Sequence, residues 1–112
     1  MNRVWRDDWL ESEKSREADR ARELLPFVRE ADLLLDIHST SFAVRPFFVG
    51  AKVERAKALA LRCGYPRSVI LAQGEFDGRT MIEHGEFADA GGKRTALVVE
   101  CGAHFLKTSV AA

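Results

Sequence analysis

The sequence lacks the features that mark membrane, secreted or strongly charged proteins. No apolar run approaches the roughly 20 residues that cross a bilayer, and the first eight residues, MNRVWRDD, lack the apolar core of a signal peptide. The 17 basic and 17 acidic side chains cancel, so the broad positive field that favours nucleic acids or anionic lipid surfaces is missing. We therefore expect no nucleic-acid partner and no membrane partner.

Cysteine is also scarce. The two cysteines, Cys63 and Cys101, are too few and too far apart for a disulfide framework or a paired-cysteine zinc site. A reducing, cytoplasmic setting is therefore expected. With 112 residues, of which 46% are hydrophobic and 30% charged, the chain corresponds to one ordinary domain at most.

A charged helix is predicted near the start of the chain. Apolar residues recur there at helical spacing, while oppositely charged residues three apart occupy the other faces. The apolar positions are Ala18, Ala21, Leu24, Leu25 and Val28. We predict a helix that begins near Ser12 and is broken or restarted at Pro26. Its charged side is interpreted as a solvated face rather than a docking surface.

Four apolar segments predict strands. Leu33–Ile37 is a near-continuous apolar run of the kind found in strands buried on both faces. The other predicted strands are residues 46–50, 68–72 and 95–99.

A helix is predicted between the second and third of these strands. The apolar positions of residues 52–63 share one helical stripe, and Gly64 is a fitting stop. Strand, helix and strand in this order form a βαβ unit, which predicts an α/β fold with a parallel or mixed sheet and flanking helices. Residues 73–94 are predicted to form a long loop with one short element at residues 79–86.

Two of the predicted strands run directly into a side chain capable of chemistry, His38 and Glu100. If these strands are parallel, both residues lie at the carboxyl edge of the sheet, where ligand sites in open α/β sheets form. An imidazole there can bind a metal or act as an acid or base, and a carboxylate can take a proton from water. On spacing alone, the alternative stays open that each residue caps a helix or meets solvent.

Asp36 precedes His38 by two residues, so both side chains point to one face of the strand. This carboxylate is predicted either to orient the imidazole, as a supporting group of the site, or to make a structural hydrogen bond to a neighbouring loop.

Two other groups of polar residues are weaker candidates. Residues 39–41 (Ser-Thr-Ser) invite a nucleophile hypothesis, but they have neither a Gly-x-Ser-x-Gly turn nor an obvious base partner, so loop capping is favoured. His84 and Glu86 are separated by one residue, unlike the usual helical spacings of zinc ligands, so we predict a solvent-exposed loop there.

Three segments occur in a distinctive order: Asn2–Trp5 (NRVW), Asp32–Thr40 (DLLLDIHST) and Ala96–Gly102 (ALVVECG). Together they resemble the succinylglutamate desuccinylase and aspartoacylase family, and the resemblance runs over nearly the whole chain. It implies a zinc-dependent hydrolase of amide bonds with the fold of the metallocarboxypeptidases. The implied substrate is a small N-acyl amino acid.

The resemblance also implies roles for individual residues. In that family the positions matching Asn2 and Arg3 grip a substrate carboxylate, a task that suits the planar donor fork of arginine. The position matching His38 is a zinc ligand, and the position matching Glu100 is the general base. Zinc lowers the pKa of bound water to about 7 and polarises the amide carbonyl, while the carboxylate accepts the water proton.

The chain departs from the family pattern at both ends. In the family, a His-x-x-Glu motif before the Asn-Arg motif supplies the first two zinc ligands. We therefore expect residues 1–112 to be the central part of a catalytic domain that lacks its N-terminal His-x-x-Glu segment and its C-terminal remainder. Alone, such a chain is expected to hold zinc weakly and to be inactive. The alternative is a non-catalytic remnant or a split-protein fragment that binds a carboxylate, a second copy or a complementing subunit.

Overall fold

Four strands form one mixed sheet with helices on both faces. The computed structural model describes residues 3–72 and 78–104. The strands are β1 (Leu33–Thr40), β2 (Phe47–Ala51), β3 (Val69–Ala72) and β4 (Thr95–Ala103). The helices are α1 (Asp7–Ser12), α2 (Arg16–Glu30) and α3 (Glu54–Cys63), and two 3₁₀ turns span Met81–Glu83 and Gly85–Ala88. None of the helices in the described ranges is both long enough and apolar enough to cross a membrane.

The strands lie in the order β1-β4-β2-β3. β1 pairs with β4 in parallel, and β2 pairs with β3 in parallel, whereas β2 and β4 are antiparallel. The predicted α/β fold with a mixed sheet is therefore confirmed, and the predicted βαβ unit corresponds to β2, α3 and β3.

Two apolar clusters hold the layers together, one on each face of the sheet. Because side chains alternate along a strand, β4 contributes Ala96 and Val98 to the cluster under α1 and α2, and Leu97 and Val99 to the cluster under α3. The first cluster also contains Trp5, which is 1% exposed. The sheet is thus the middle of three layers.

Helix α2 differs from its prediction. It begins after the N-cap Ser15, whose hydroxyl accepts a hydrogen bond from Ala18 N at 3.1 Å, and it runs without a break through Pro26. The apolar stripe is buried on both sides of the proline, at Ala21 and Val28. This burial outweighs the hydrogen bond that proline costs a helix, so the predicted break is wrong. Ser12 ends the separate short helix α1 instead.

The apolar run of β1 predicted a strand buried on both faces, but only one of its faces is buried. Leu34 lies in the first cluster, but Leu33, Leu35 and Ile37 on the opposite face are 59%, 55% and 68% exposed. β1 is at one end of the described sheet, and α3 packs over β2, β3 and β4. No described helix covers the outer part of this face.

The segment before β4 is fastened to α3 by one arginine. The guanidinium of Arg55 donates to the backbone carbonyls of Glu86, Phe87, Asp89 and Arg94 at 2.7, 3.0, 2.5 and 2.6 Å. The predicted single element at residues 79–86 is in fact the two 3₁₀ turns, and residues 73–77 of the predicted loop lie outside the described residues.

Candidate functional site

His38 and Glu100 lie side by side at the carboxyl end of the parallel pair β1 and β4. Their Cα atoms are register partners, so their side chains point to the same face of the sheet. His38 Nδ1 is 3.5 Å from Glu100 Oε1. The proximity that the strand-end argument predicts is therefore present.

Asp36 completes a row of three side chains. Its Oδ2 lies 3.0 Å from His38 Nε2, on the side of the imidazole opposite Glu100. The contact lies within the strand, between residues two apart, as their shared face predicts. The Asp36 carboxylate can accept a hydrogen bond from Nε2–H, and in the tautomer that donates it Nδ1 carries a lone pair that could bind a metal. Nδ1 is the nitrogen that faces Glu100.

Glu100 carries an unsatisfied atom. Its Oε2 is buried and has no hydrogen-bond partner among the described residues, and the side chain as a whole is 17% exposed. A buried carboxylate oxygen without a partner is costly, and such atoms in native structures call for an unseen donor, water or cation. Since the imidazole is 30% exposed, the row is open to a small ligand.

The described residues fit part of a zinc site. His38 offers one nitrogen ligand with Asp36 behind it, and this arrangement is typical of zinc-bound histidines. A zinc site normally takes three or four protein ligands, and the described residues contain no group of three His, Cys, Asp or Glu side chains able to hold a metal ion. The other ligands of a zinc site here must come from outside the described residues.

Of the two residues expected to grip a carboxylate, Asn2 lies outside the described residues and Arg3 is half-buried. The backbone of Arg3 is held by a short parallel bridge between Val4 and Arg79, in which Arg79 N donates to Arg3 O at 3.1 Å. Gly78 packs directly on this bridge. It has φ +85°, and a Cβ at that position would lie 2.2 Å from Arg3 O.

Replacing Gly78 by alanine is expected to destabilise the protein by about 2 kcal/mol or more, because a side chain there has both an unfavourable φ and a backbone clash. Chemical denaturation measures the loss. Gly91→Ala is the matched control, since Gly91 has open space around its Cα position, and a surface change of this kind stays within about 0.5 kcal/mol. Equal effects at both positions would contradict the packing of Gly78 on Arg3.

The serine and threonine residues after His38 are divided between two roles. The Thr40 hydroxyl donates to Phe42 O at 2.8 Å and closes the loop after β1, as loop capping predicts. Ser39 Oγ lies 2.5 Å from His104 Nδ1, a partner that the sequence argument did not find. The two residues meet because β4 runs on past Glu100, and His104 N donates to Thr40 O at 2.9 Å.

The spacing between His84 and Glu86 predicted a solvent-exposed loop, but this prediction is wrong because His84 is buried. The side chain is 5% exposed, its Nδ1 lies 3.0 Å from Trp5 O, and its ring packs against the indole of Trp5. The position between two 3₁₀ turns directs the imidazole into the first cluster. His84 is therefore a core residue.

Cys101 lies next to Glu100 on the other face of β4, where it is 1% exposed. Burial raises the pKa of its thiol, and the negative charge of Glu100 raises that pKa further. The pKa of Cys101 in the folded protein is therefore above the ordinary pKa of a thiol. The stability that the neutral thiol contributes is fully present below that ordinary pKa, and it is lost as the pH rises through the raised pKa of the folded state.

Thiol labelling is therefore expected to separate the two cysteines. With a disulfide reagent at pH 8, the exposed Cys63 reacts rapidly, whereas Cys101 reacts only when the protein is unfolded by denaturant. Cys63→Ser is expected to remove the rapid phase entirely. A second rapid thiol in the native protein would show that β4 is open to solvent at this point.

No family model matches the sequence, and neither a curated protein nor a solved structure shows significant similarity to it. The resemblance to a family thus rests on the three sequence segments alone, and any proposal about chemistry rests on the row formed by Asp36, His38 and Glu100.

Proposed function

We propose that this chain is a segment of a zinc-dependent amidohydrolase that removes the acyl group from a small N-acyl amino acid. The observation that supports the proposal best is the pairing of His38 and Glu100, with Asp36 behind the imidazole and a buried Glu100 oxygen that has no partner in residues 3–72 and 78–104. A nitrogen ligand beside a carboxylate base is the combination that metal-assisted hydrolysis of an amide requires.

Each residue of the row has one task in this proposal. Asp36 holds the proton on Nε2 of His38 and keeps Nδ1 free as a ligand. Glu100 accepts a proton from the attacking water and passes it to the leaving amine. Zinc, when bound, activates that water and polarises the amide carbonyl. Arg3 and Asn2 are proposed to bind the carboxylate of the amino acid.

A second candidate is a non-catalytic protein that binds a carboxylate or a partner subunit. Two observations favour it: the described residues contain no complete metal-binding group, and β1 exposes Leu33, Leu35 and Ile37 at one end of the sheet. In this case the row of polar residues binds a ligand without reacting with it.

Zinc content and hydrolysis together separate the two candidates. The zinc bound per chain is measured by elemental analysis after dialysis, and amine release from N-acetylaspartate and N-succinylglutamate is followed with and without added zinc. We expect weak zinc binding and no turnover for residues 1–112 alone. We expect both zinc and turnover for a chain that also carries an upstream His-x-x-Glu motif and a downstream remainder. Zinc binding without turnover in that longer chain would favour the second candidate.

A further inference from the structure

The outer edge of β1 carries backbone groups that β4 does not use. β1 lies at the end of the described sheet, and within the described residues β4 is its one neighbouring strand. Asp32 O accepts a hydrogen bond from Thr95 N at 3.0 Å, so the residue just before β1 turns its carbonyl toward β4. Backbone groups alternate in direction along a strand, so the N–H and C=O of Leu33, Leu35 and Ile37 point away from β4. Such an edge is a template for another strand.

The same three residues, which we call the apolar edge, also present apolar side chains. The side chains of Leu33, Leu35 and Ile37 are each more than half exposed, on the face of β1 that α3 leaves uncovered. Proteins usually block an open edge with lysine, proline or an inward-pointing charge. β1 reads LLLDIHST, which contains neither lysine nor proline, and its acidic residue, Asp36, faces the other side of the sheet. The apolar edge is therefore open to strand pairing.

The apolar edge is symmetric about Leu35, which makes it complementary to a second copy of itself. A two-fold axis brings the same patch of both copies together. In an antiparallel pair centred on Leu35, this residue lies opposite Leu35 of the second copy, and Leu33 lies opposite Ile37 of the second copy. Every side chain of the apolar edge then has an apolar neighbour, and its outward N–H and C=O groups meet acceptors and donors.

The neighbouring registers are less favourable. A pair centred on Asp36 sets the two Asp36 carboxylates opposite each other, and like charges in that position are destabilising. A pair centred on Leu34 or on Ile37 sets one end of the apolar edge opposite a residue outside β1. Since the 17 basic and 17 acidic side chains of each copy cancel, no net charge keeps the copies apart. Symmetry and charge thus both select the pair centred on Leu35.

We propose that β1 joins two copies of this chain into a dimer, by antiparallel pairing about a two-fold axis at Leu35. The two described four-stranded sheets then continue into one sheet of eight strands. The dimer requires neither zinc nor amide hydrolysis, so it stands independently of the proposed function. The contact is confined to one strand edge, which is small beside the roughly 1,600 Å² that a standard interface buries, so the dimer is expected to dissociate on dilution.

The first test is sedimentation of the 112-residue chain at concentrations from about 1 to about 300 µM, the range in which small interfaces associate. We expect the mean mass to rise from that of one chain toward that of two. Leu35→Lys is expected to weaken association at least ~10-fold, because it sets two ammonium groups opposite each other at the axis. Leu61→Lys is the matched control, since Leu61 is exposed to a similar extent but lies on α3, so association is expected to be unchanged. Circular dichroism verifies that both variants fold.

Disulfide formation reports the register. In a Cys63→Ser background, Leu35→Cys is expected to form a covalent dimer under mild oxidation, because opposite hydrogen-bonded residues have Cα atoms about 5.5 Å apart, within the reach of a disulfide. Leu33→Cys and Ile37→Cys are each expected to stay unlinked, since the two equivalent residues at either position lie roughly 14 Å apart. Cys101 is buried, so Cys63→Ser alone is the control that forms no covalent dimer.

Each outcome bears on the proposal. A mass that rises with concentration, is held down by Leu35→Lys and is trapped through Leu35→Cys supports the dimer. A chain that stays monomeric throughout the concentration range would overturn it. Equal weakening by Leu61→Lys would place the contact on α3 instead, and cross-linking through Leu33→Cys or Ile37→Cys would reject the pair centred on Leu35.

Discussion

In the proposed zinc-dependent hydrolase, replacing Glu100 by glutamine is expected to lower turnover by roughly 10²- to 10⁴-fold, the range that a general base contributes. The amide has the shape of the carboxylate but cannot accept the proton of the attacking water. Zinc binding is expected to persist, because His38 and its contact with Asp36 are untouched. The measurement pairs kcat with zinc content in the longer chain that carries an upstream His-x-x-Glu motif.

Two other variants make the interpretation specific. His38→Ala is expected to lose both zinc and turnover, whereas Ser41→Ala, an exposed change in the loop after β1, is expected to lose neither. Thermal unfolding provides a further check. Because Glu100 Oε2 is buried without a partner in the part of the chain that the structure describes, removing the charge of this side chain is expected to leave stability unchanged or raised. Full turnover in Glu100→Gln would remove Glu100 from the mechanism.

Arg55→Ala is expected to lower the free energy of unfolding by about 3 kcal/mol, since hydrogen bonds from a charged donor contribute roughly 1.5 to 3 kcal/mol each before solvent exposure reduces them. The loss leaves four backbone carbonyls between Glu86 and Arg94 without their shared donor. In a domain of this size the change corresponds to a fall in Tm of roughly 15 °C. Calorimetry or circular dichroism measures it.

Arg55→Lys tests whether charge or geometry matters. The single ammonium group of lysine cannot donate to all four carbonyls at once, so most of the loss in free energy of unfolding is expected to remain. Lys57→Ala is the control on the same helix. Its ion pair with Glu54 spans 3.8 Å at the surface, and removing such a pair changes stability by about 1 kcal/mol at most. Alanine has a higher helix propensity than lysine or arginine, so a loss at Lys57 as large as that at Arg55 would contradict the role of the Arg55 hydrogen bonds.

The sequence was sufficient for the features that depend on local pattern. The βαβ unit follows from an apolar stripe at helical spacing between two apolar runs, with Gly64 as the helix stop. The pairing of His38 with Glu100 follows from two strands that each end on a functional side chain. Both arguments need only the chain order and the geometry of parallel strands.

Features that depend on tertiary packing escaped prediction. Pro26 is held inside α2 because the apolar stripe is buried on both sides of it, which no local rule includes. His84 enters the core because Trp5, 79 positions earlier, offers a carbonyl and a ring. Leu33–Ile37 has the composition of a strand buried on both faces, yet exposure depends on whether a helix covers it.

β1, which carries His38, and β4, which carries Glu100, are expected to open locally at different rates because they hold different positions in the sheet. β4 is hydrogen-bonded to a strand on each side, whereas the described sheet gives β1 one neighbour. Hydrogen exchange follows such differences, since amides flanked by two strands open only with the whole core. Glu100 therefore sits on one of the two inner strands of the described sheet, where exchange is slower, and His38 on an outer strand that opens more readily. A ligand that bridges the two side chains is expected to slow exchange mainly along β1.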